Sequence, residues 1–365
     1  MRRGRLIIAA GAALLLAAGC GSGGGGGGGT AAGSAPTAES ATVALFLPES
    51  KTTRYEQFDK PVFEAELKQL CPGCSFLYFN ADQDAAKQQS QVESALTQGA
   101  DVLVLDAVDA DAVAPLVNQA KQKKIPVIAY DRRISGIGYD YFVSFDNVKV
   151  GEVQGQALLD ELTKRGTVGT GQVVMINGSP TDPSSADYKK GAHNALDGKV
   201  TIGREFDTPD WSPDKAQEQM EQAITSLGRD AIVGVYSAND GMATGAVAAL
   251  KRAGYATLPA LTGQDAELAA VQRIVTGEQT MTIYLNIKEQ AKNAADAAVA
   301  LAKGEQPHTN TAVDNGTADI PSTLLDPIAV TKDKIKDTIV SDGFYTVSQI
   351  CTPDVAAACT AAGLS

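Results

Sequence analysis

Ile125-Pro-Val-Ile-Ala-Tyr130-Asp131-Arg132-Arg133, followed after a Gly-bearing turn by Tyr141-Phe-Val-Ser-Phe145-Asp146-Asn147, decides the fold. Its first apolar run is continuous rather than alternating, the habit of a strand covered on both faces of a parallel sheet. The run stops on a carboxylate and a guanidinium, and polar ligands of open parallel sheets sit at the carboxyl ends of the strands. Asp131 accepts and Arg132 donates. That pairing suits a small, neutral, hydroxyl-rich molecule. The second run ends at Asn147, where a hinge is expected.

On either side the chain alternates strands and helices. Strands are expected at 43–47, 75–79 and 102–105, with helices at 61–70, 84–98 and 110–123. Beyond Asn147 the rhythm restarts, with helices at 150–164, 184–196, 213–227, 241–252, 268–276 and 288–303. Strands at 173–176, 201–206, 231–236, 260–263 and 280–284 lie between them. This predicts an α/β protein of two Rossmann-like lobes, which 365 residues can fill. No residue-level repeat relates the halves. Strands repeatedly stop on a hydrogen-bonding residue: Asp106, Asp131, Asn177, Asn239 with Asp240, and Gln264 with Asp265. Each alone reads equally as a helix N-cap, but together they outline a ligand cleft between two lobes.

Residues 1–19 carry Arg2, Arg3 and Arg5 before an apolar centre and small residues, the layout of an export signal. Leu16-Ala-Ala-Gly19-Cys20 resembles a bacterial lipoprotein cleavage box, so Cys20 is expected to carry lipid at the outer face of the cell membrane. Residues 20–41, rich in Gly, Ser, Thr and Ala, then form a flexible tether. The apolar run is too short to span a bilayer comfortably. Five cysteines leave four after Cys20. The expected disulfides are the local pairs Cys71 with Cys74 and Cys351 with Cys359, against the alternatives of a Cys-x-x-Cys redox centre or half a metal site. His193 and His308 are the only histidines, so no metal and no cofactor are expected. Loss of the three leader arginines takes the formal charge of −12 lower still, and no basic stripe offers a nucleic-acid surface.

Tyr130-Asp-Arg132, Ser144-Phe-Asp-Asn147, Gly178-Ser-Pro180, Ser237-Ala-Asn-Asp240, Gly263-Gln-Asp-Ala266, Thr280-Met-Thr-Ile-Tyr284 and Asp342-Gly-Phe344 together resemble the periplasmic sugar-binding proteins of ABC importers. The likeness runs in order over about 42–344. It implies a type I periplasmic binding protein in which three crossing strands join the lobes around one ligand cleft. The expected crossings are at Asn147, near Tyr284 and Ile287, and between Ile320 and Leu325. The first lobe would comprise 42–146 with about 286–322, and the second 147–285 with about 323–350. Residues 351–365 would form a tail with a Cys pair. The resemblance further implies a monomer that binds D-xylose or a related aldose and passes it to permease subunits; a sensory partner is the alternative.

Carried over by position, the resemblance makes Arg54 and Tyr55 first-lobe contacts and Asp131 with Arg132 the central pair. Asn239 and Asp265 become second-lobe hydrogen-bonding groups, and Trp211, the only tryptophan, the platform under the sugar ring. The chemistry agrees, since carboxylates, guanidinium and amides satisfy hydroxyls that both donate and accept, while an aromatic face covers the C–H surface. Ser184 stands where the pattern has Asn, Asp187 where it has an apolar residue, and Leu285-Asn286 where it has Lys-Pro. Sugar choice is therefore expected at Ser184 and Leu285, with Lys288 a substitute cation or a solvated helix residue. Tyr55 replaces a Trp, with Phe58 as a rival stacking group. Catalysis is not expected: a Gly-x-Ser-x-Gly elbow, a Gly-x-x-x-x-Gly-Lys loop and a Gly-x-Gly-x-x-Gly after the first strand are all missing.

Overall fold

A computed structural model describes residues 40–364. The expected signal segment, the lipidated Cys20 and nearly all of the tether lie outside the described residues. The first half runs through β1 (Thr42–Leu47), α1 (Lys60–Leu70), β2 (Ser75–Asn80), α2 (Ala85–Thr97), β3 (Val102–Leu105), α3 (Ala114–Gln122), β4 (Val127–Tyr130) and β5 (Tyr141–Phe145). The second continues with α4 (Asn147–Lys164), β6 (Gln172–Asn177), α5 (Pro183–Leu196), β7 (Thr201–Asp207), α6 (Pro213–Leu227), β8 (Ile232–Ser237) and α7 (Asp240–Arg252). Then come β9 (Ala260–Leu261), α8 (Leu268–Thr276), β10 (Met281–Tyr284), α9 (Ile287–Ala302), β11 (Thr311–Asp314), β12 (Asp319–Leu325) and β13 (Ile328–Thr331). Short helices α10 (Val347–Ile350) and α11 (Ala356–Ala361) end the chain.

Two sheets result. The larger has the order β11-β12-β5-β4-β3-β1-β2, parallel except for β11, which pairs antiparallel with β12. The second is β7-β6-β8-β9, all parallel, and one isolated bridge between Gln264 and Ile283 links it to the antiparallel pair β10-β13. The chain leaves the larger sheet after Phe145 and Leu325, and returns toward it after Tyr284, at the end of β10. Continuous apolar runs such as Val102–Leu105 and Val127–Tyr130 are buried along their whole length, as helix cover on both faces requires. Separate cores fill the two faces of the larger sheet, and a third gathers the second sheet with the C-terminal segment.

Two expected elements are shorter than the periodicity suggests. The helix expected from 110 begins at Ala114, because Asp109 folds a turn by accepting from the amides of Asp111 and Ala112, both at 3.0 Å. The strand expected over 260–263 stops at Leu261, beyond which only the isolated bridge continues the pairing. Cys71 is paired with Cys74 behind α1, and Cys351 with Cys359 in the tail, with Cα–Cα distances of 5.3 and 5.8 Å. Among the described residues no helix is long and apolar enough to cross a membrane.

Candidate functional site

The carboxyl ends of the two sheets face each other across a small cavity. The first lobe contributes Thr52, Arg54, Tyr55, Asp131 and Arg132, and the second Asp182, Tyr188, Trp211, Asn239, Gln264 and Asp265. Direct contacts hold the lobes together around it: Arg132 Nε lies 3.0 Å from Asp182 Oδ2, Arg133 is 3.6 Å from Asp187, and the Ala110 amide donates to the Thr181 carbonyl at 3.3 Å. This is a closed arrangement.

On the first-lobe side, buried charge is organised around Arg54. Its Nε and Nη2 donate to Asp59 at 3.0 and 2.8 Å, and its Nη1 donates to Asp131 Oδ1 at 2.9 Å. Gln290, reaching in from α9, adds a donor to the same Asp131 oxygen at 3.1 Å. Oδ1 is thereby committed, and Oδ2 is left to accept from a ligand. Burial opposes the Arg54 charge, but Asp131 and Asp59 outweigh it and hold its pKa well above the usual value. Arg132 is fixed by a bond from Nη1 to the Ala107 carbonyl at 3.0 Å. Its Nε–H is misaligned with both nearby carboxylates, Asp182 at 3.0 Å and Asp106 at 3.4 Å, so these are charge contacts and the donor stays free. Asp106 is fully buried with neither oxygen hydrogen-bonded, and burial raises its pKa while the Arg132 charge opposes the shift.

On the second-lobe side, the caps double as wall. Asn239 caps α7, its Oδ1 accepting from the Met242 amide at 2.8 Å, which leaves Nδ2 to donate into the cavity. Asp265 is pushed up to about 7 by burial, with Glu267 and Asp131 adding to the shift and Arg54 opposing it. Gln264 Oε1 and Trp211 Nε1 are buried without partners. The Trp211 ring lies on Gly178, where a Cβ would come within 2.0 Å of it, and meets Tyr188 edge-on at 6.3 Å. Tyr188 is set in turn by the close crossing of α4 and α5: a Cβ on Gly151 would come within 2.0 Å of the Tyr188 carbonyl.

Three wall residues have left-handed backbones: Asp131 at φ 61°, Trp211 at 53° and Asp265 at 90°. Such strain persists only where surroundings impose it, and it concentrates at ligand clamps. The arrangement as a whole presents alternating donors and acceptors beside one aromatic face. It can hold a neutral ring bearing several hydroxyls. Among the described residues there is no group of three or more His, Cys, Asp or Glu side chains placed to hold a metal ion.

Seven of the eight sequence-predicted ligand residues meet at this cavity: Arg54, Tyr55, Asp131, Arg132, Trp211, Asn239 and Asp265. Ser184 does not line it. Asp182 caps α5 ahead of it, taking the Ser184 amide on Oδ1 at 2.8 Å, and supplies the wall at that point. Leu285 is core, 1% exposed, and Lys288 donates to the carbonyls of Asp342 and Gly343 at 2.9 and 3.0 Å, so neither forms the wall. Phe58 also stays out, stacked on Phe344. Sequence reasoning missed Thr52, Asp182 and Tyr188 as wall residues, while Gln264, singled out only as a strand end, joins Asp265 in the wall. Asp182 reads as an ordinary cap before Pro183, whereas Tyr188, one helical turn beyond Ser184, could have been found from spacing.

A family model described as periplasmic binding protein domain matches residues 43–306. The D-xylose-binding periplasmic protein of Escherichia coli is 35% identical over 318 residues, covering 86% of this chain and 93% of that protein. The multiple sugar-binding periplasmic receptor ChvE of Rhizobium radiobacter is 33% identical, with 86% and 93% covered. An ABC transporter solute binding protein from Clostridium phytofermentans, solved with bound β-D-glucose, superposes with a TM-score of 0.78 at 28% identity, covering 85% of this chain and 99% of that one. The chain belongs to the periplasmic binding protein family, and its fold is the type I fold of two lobes around a cleft. It is a solute-binding protein and not an enzyme.

Proposed function

We propose that the protein is an extracytoplasmic lipoprotein, anchored through Cys20, that binds one monosaccharide and delivers it to an ABC importer. D-Xylose or a related aldose is the ligand. The observation that carries this reading is the cavity itself, where a free carboxylate oxygen on Asp131, a free donor on Arg132 and the Trp211 face converge from both lobes. The xylose-binding relative at 35% identity supports the choice of sugar, and the glucose-bound neighbour makes D-glucose the first competitor. Sheet membership supports a first lobe of 42–146 with 286–325 and a second of 147–285 with 326–350, the third crossing falling just after β12. Sugar bridges the lobes and shifts an open-to-closed equilibrium, because only the closed form offers both halves of the site.

A thermal-shift panel of pentoses, hexoses and their uronic acids tests this reading. Stabilisation by aldoses but not by uronates is expected, since Asp131, Asp182 and Asp265 crowd the cavity; no stabilisation by any sugar would overturn it. A sensory role, with the closed form presented to a receptor, is the second reading, favoured by the ChvE relationship. Sugar uptake unchanged after deletion of the adjacent permease would select it.

A further inference from the structure

We propose that the segment 51–58 sets the affinity for every ligand by clasping the second lobe outside the cavity, with Lys51 and Phe58 as positioning residues that touch no ligand. This rests on the reading of the cleft as a sugar site. The segment follows β1, and Thr52, Arg54 and Tyr55 line the cavity. Its other residues reach three points on the opposite lobe. Lys51 Nζ donates to the Asp210 carbonyl at 3.1 Å, immediately before the Trp211 platform. The Thr53 backbone lies beside the Glu267 carboxyl, lowering a pKa that burial pushes up to about 7. The Phe58 ring stacks on Phe344, with centroids 3.9 Å apart and planes 15° apart, and meets Tyr345 edge-on at 5.9 Å. Lys51, Phe58 and Phe344 do not line the cavity.

The receiving surface is rigid. Phe344 and Tyr345 are each 4% exposed and belong to the second-lobe core. Tyr284 packs edge-on against Phe344 at 5.1 Å and donates its hydroxyl to Asp342, while Lys288, at the start of α9 beside the crossing and on the first-lobe side, donates to the carbonyls of the same turn. The segment is pre-shaped too, since Glu49 accepts from the amides of Lys51 and Thr52. Parting the lobes therefore breaks these three contacts as a set and exposes Phe58. Observed affinity is intrinsic affinity scaled by the fraction of binding-competent protein. A contact that favours closure without touching the ligand multiplies every affinity by one factor, whereas a wall residue changes the ratios between sugars.

The test is Phe58→Ala, with Phe58→Leu as a milder variant that keeps an apolar group. Calorimetry is run on every sugar the parent binds, and hydrogen exchange is followed in the sugar-free protein at the Ala110 amide, which donates across the lobes to the Thr181 carbonyl. Phe58→Ala is expected to weaken all sugars equally, by about 10-fold, or ~1.4 kcal/mol, with Phe58→Leu in between and faster exchange at Ala110 in the same order. Affinities equal to the parent's, a loss that differs from sugar to sugar, or unchanged exchange would each overturn the proposal. A parent that binds no sugar overturns the sugar reading alone, because the exchange measurement still decides whether Phe58 holds the lobes together.

Discussion

Replacing Asp131 by Asn separates its charge from its shape. In the closed site Asp131 Oδ1 takes donors from Arg54 at 2.9 Å and Gln290 at 3.1 Å, which leaves Oδ2 for ligand hydroxyls. Asparagine keeps the outline and tolerates the left-handed backbone at φ 61° that this position requires. Arg54 retains its two bonds to Asp59, so the fold should hold. What is lost is charge assistance: bonds to a charged group are worth ~1.5–3 kcal/mol against ~0.5–1.5 for neutral ones. With one or two hydroxyls on Oδ2, the loss is about 1–3 kcal/mol, or roughly 5- to 150-fold in Kd. Asp131→Ala should lose more, since alanine adds backbone strain of ~1–2 kcal/mol. Titration calorimetry, with the melting temperature as a control for folding, reads this directly. An Asp131→Asn variant that folds and binds with the parent's affinity would refute the assignment.

Trp211 is the only tryptophan, so its emission should change saturably on adding sugar, and Gly178→Ala should abolish the change by displacing the ring; a flat titration of the parent counts against the platform role. Burial pushes the Asp240 carboxyl from 3.8 up to about 7, despite Arg273 and bonds from Gln279 and Thr282. A raised carboxyl pKa means that the folded protein holds a proton the unfolded chain has released, so this contribution is full below pH ~4 and is lost as pH rises through ~7. Asp265 acts in the same direction and window. The melting temperature of Asp240→Asn should therefore fall less than the parent's between pH 5 and 8, and parallel curves would contradict the assignment. The four body cysteines should resist alkylation until reduced, and Cys20→Ser should release the protein from the membrane fraction.

The architecture was legible because buried parallel strands advertise themselves: Val43-Ala-Leu-Phe-Leu47 and Val127-Ile-Ala-Tyr130 leave no polar face for solvent. Most of the site was legible for a related reason. Polar residues that stop such strands stand at the mouth of the sheet, and Asp131, Asn239 and Asp265 do so. Asp182 escaped because a cap and a cavity wall call for the same residue type at the same place. Leu285 misled because its departure from the family pattern lies in sequence beside a crossing, while its side chain belongs to the core. The pairing of Phe58 with Phe344 was unreadable, since nothing local links residues so far apart until the lobes close.

Titration calorimetry of the unmodified protein with D-xylose, D-glucose and D-xylonate tests the central claim most directly. The account predicts saturable binding of one aldose per chain, and no binding of the carboxylate, whose charge would meet Asp131, Asp182 and Asp265. Tight binding of the acid with no binding of either aldose would contradict it.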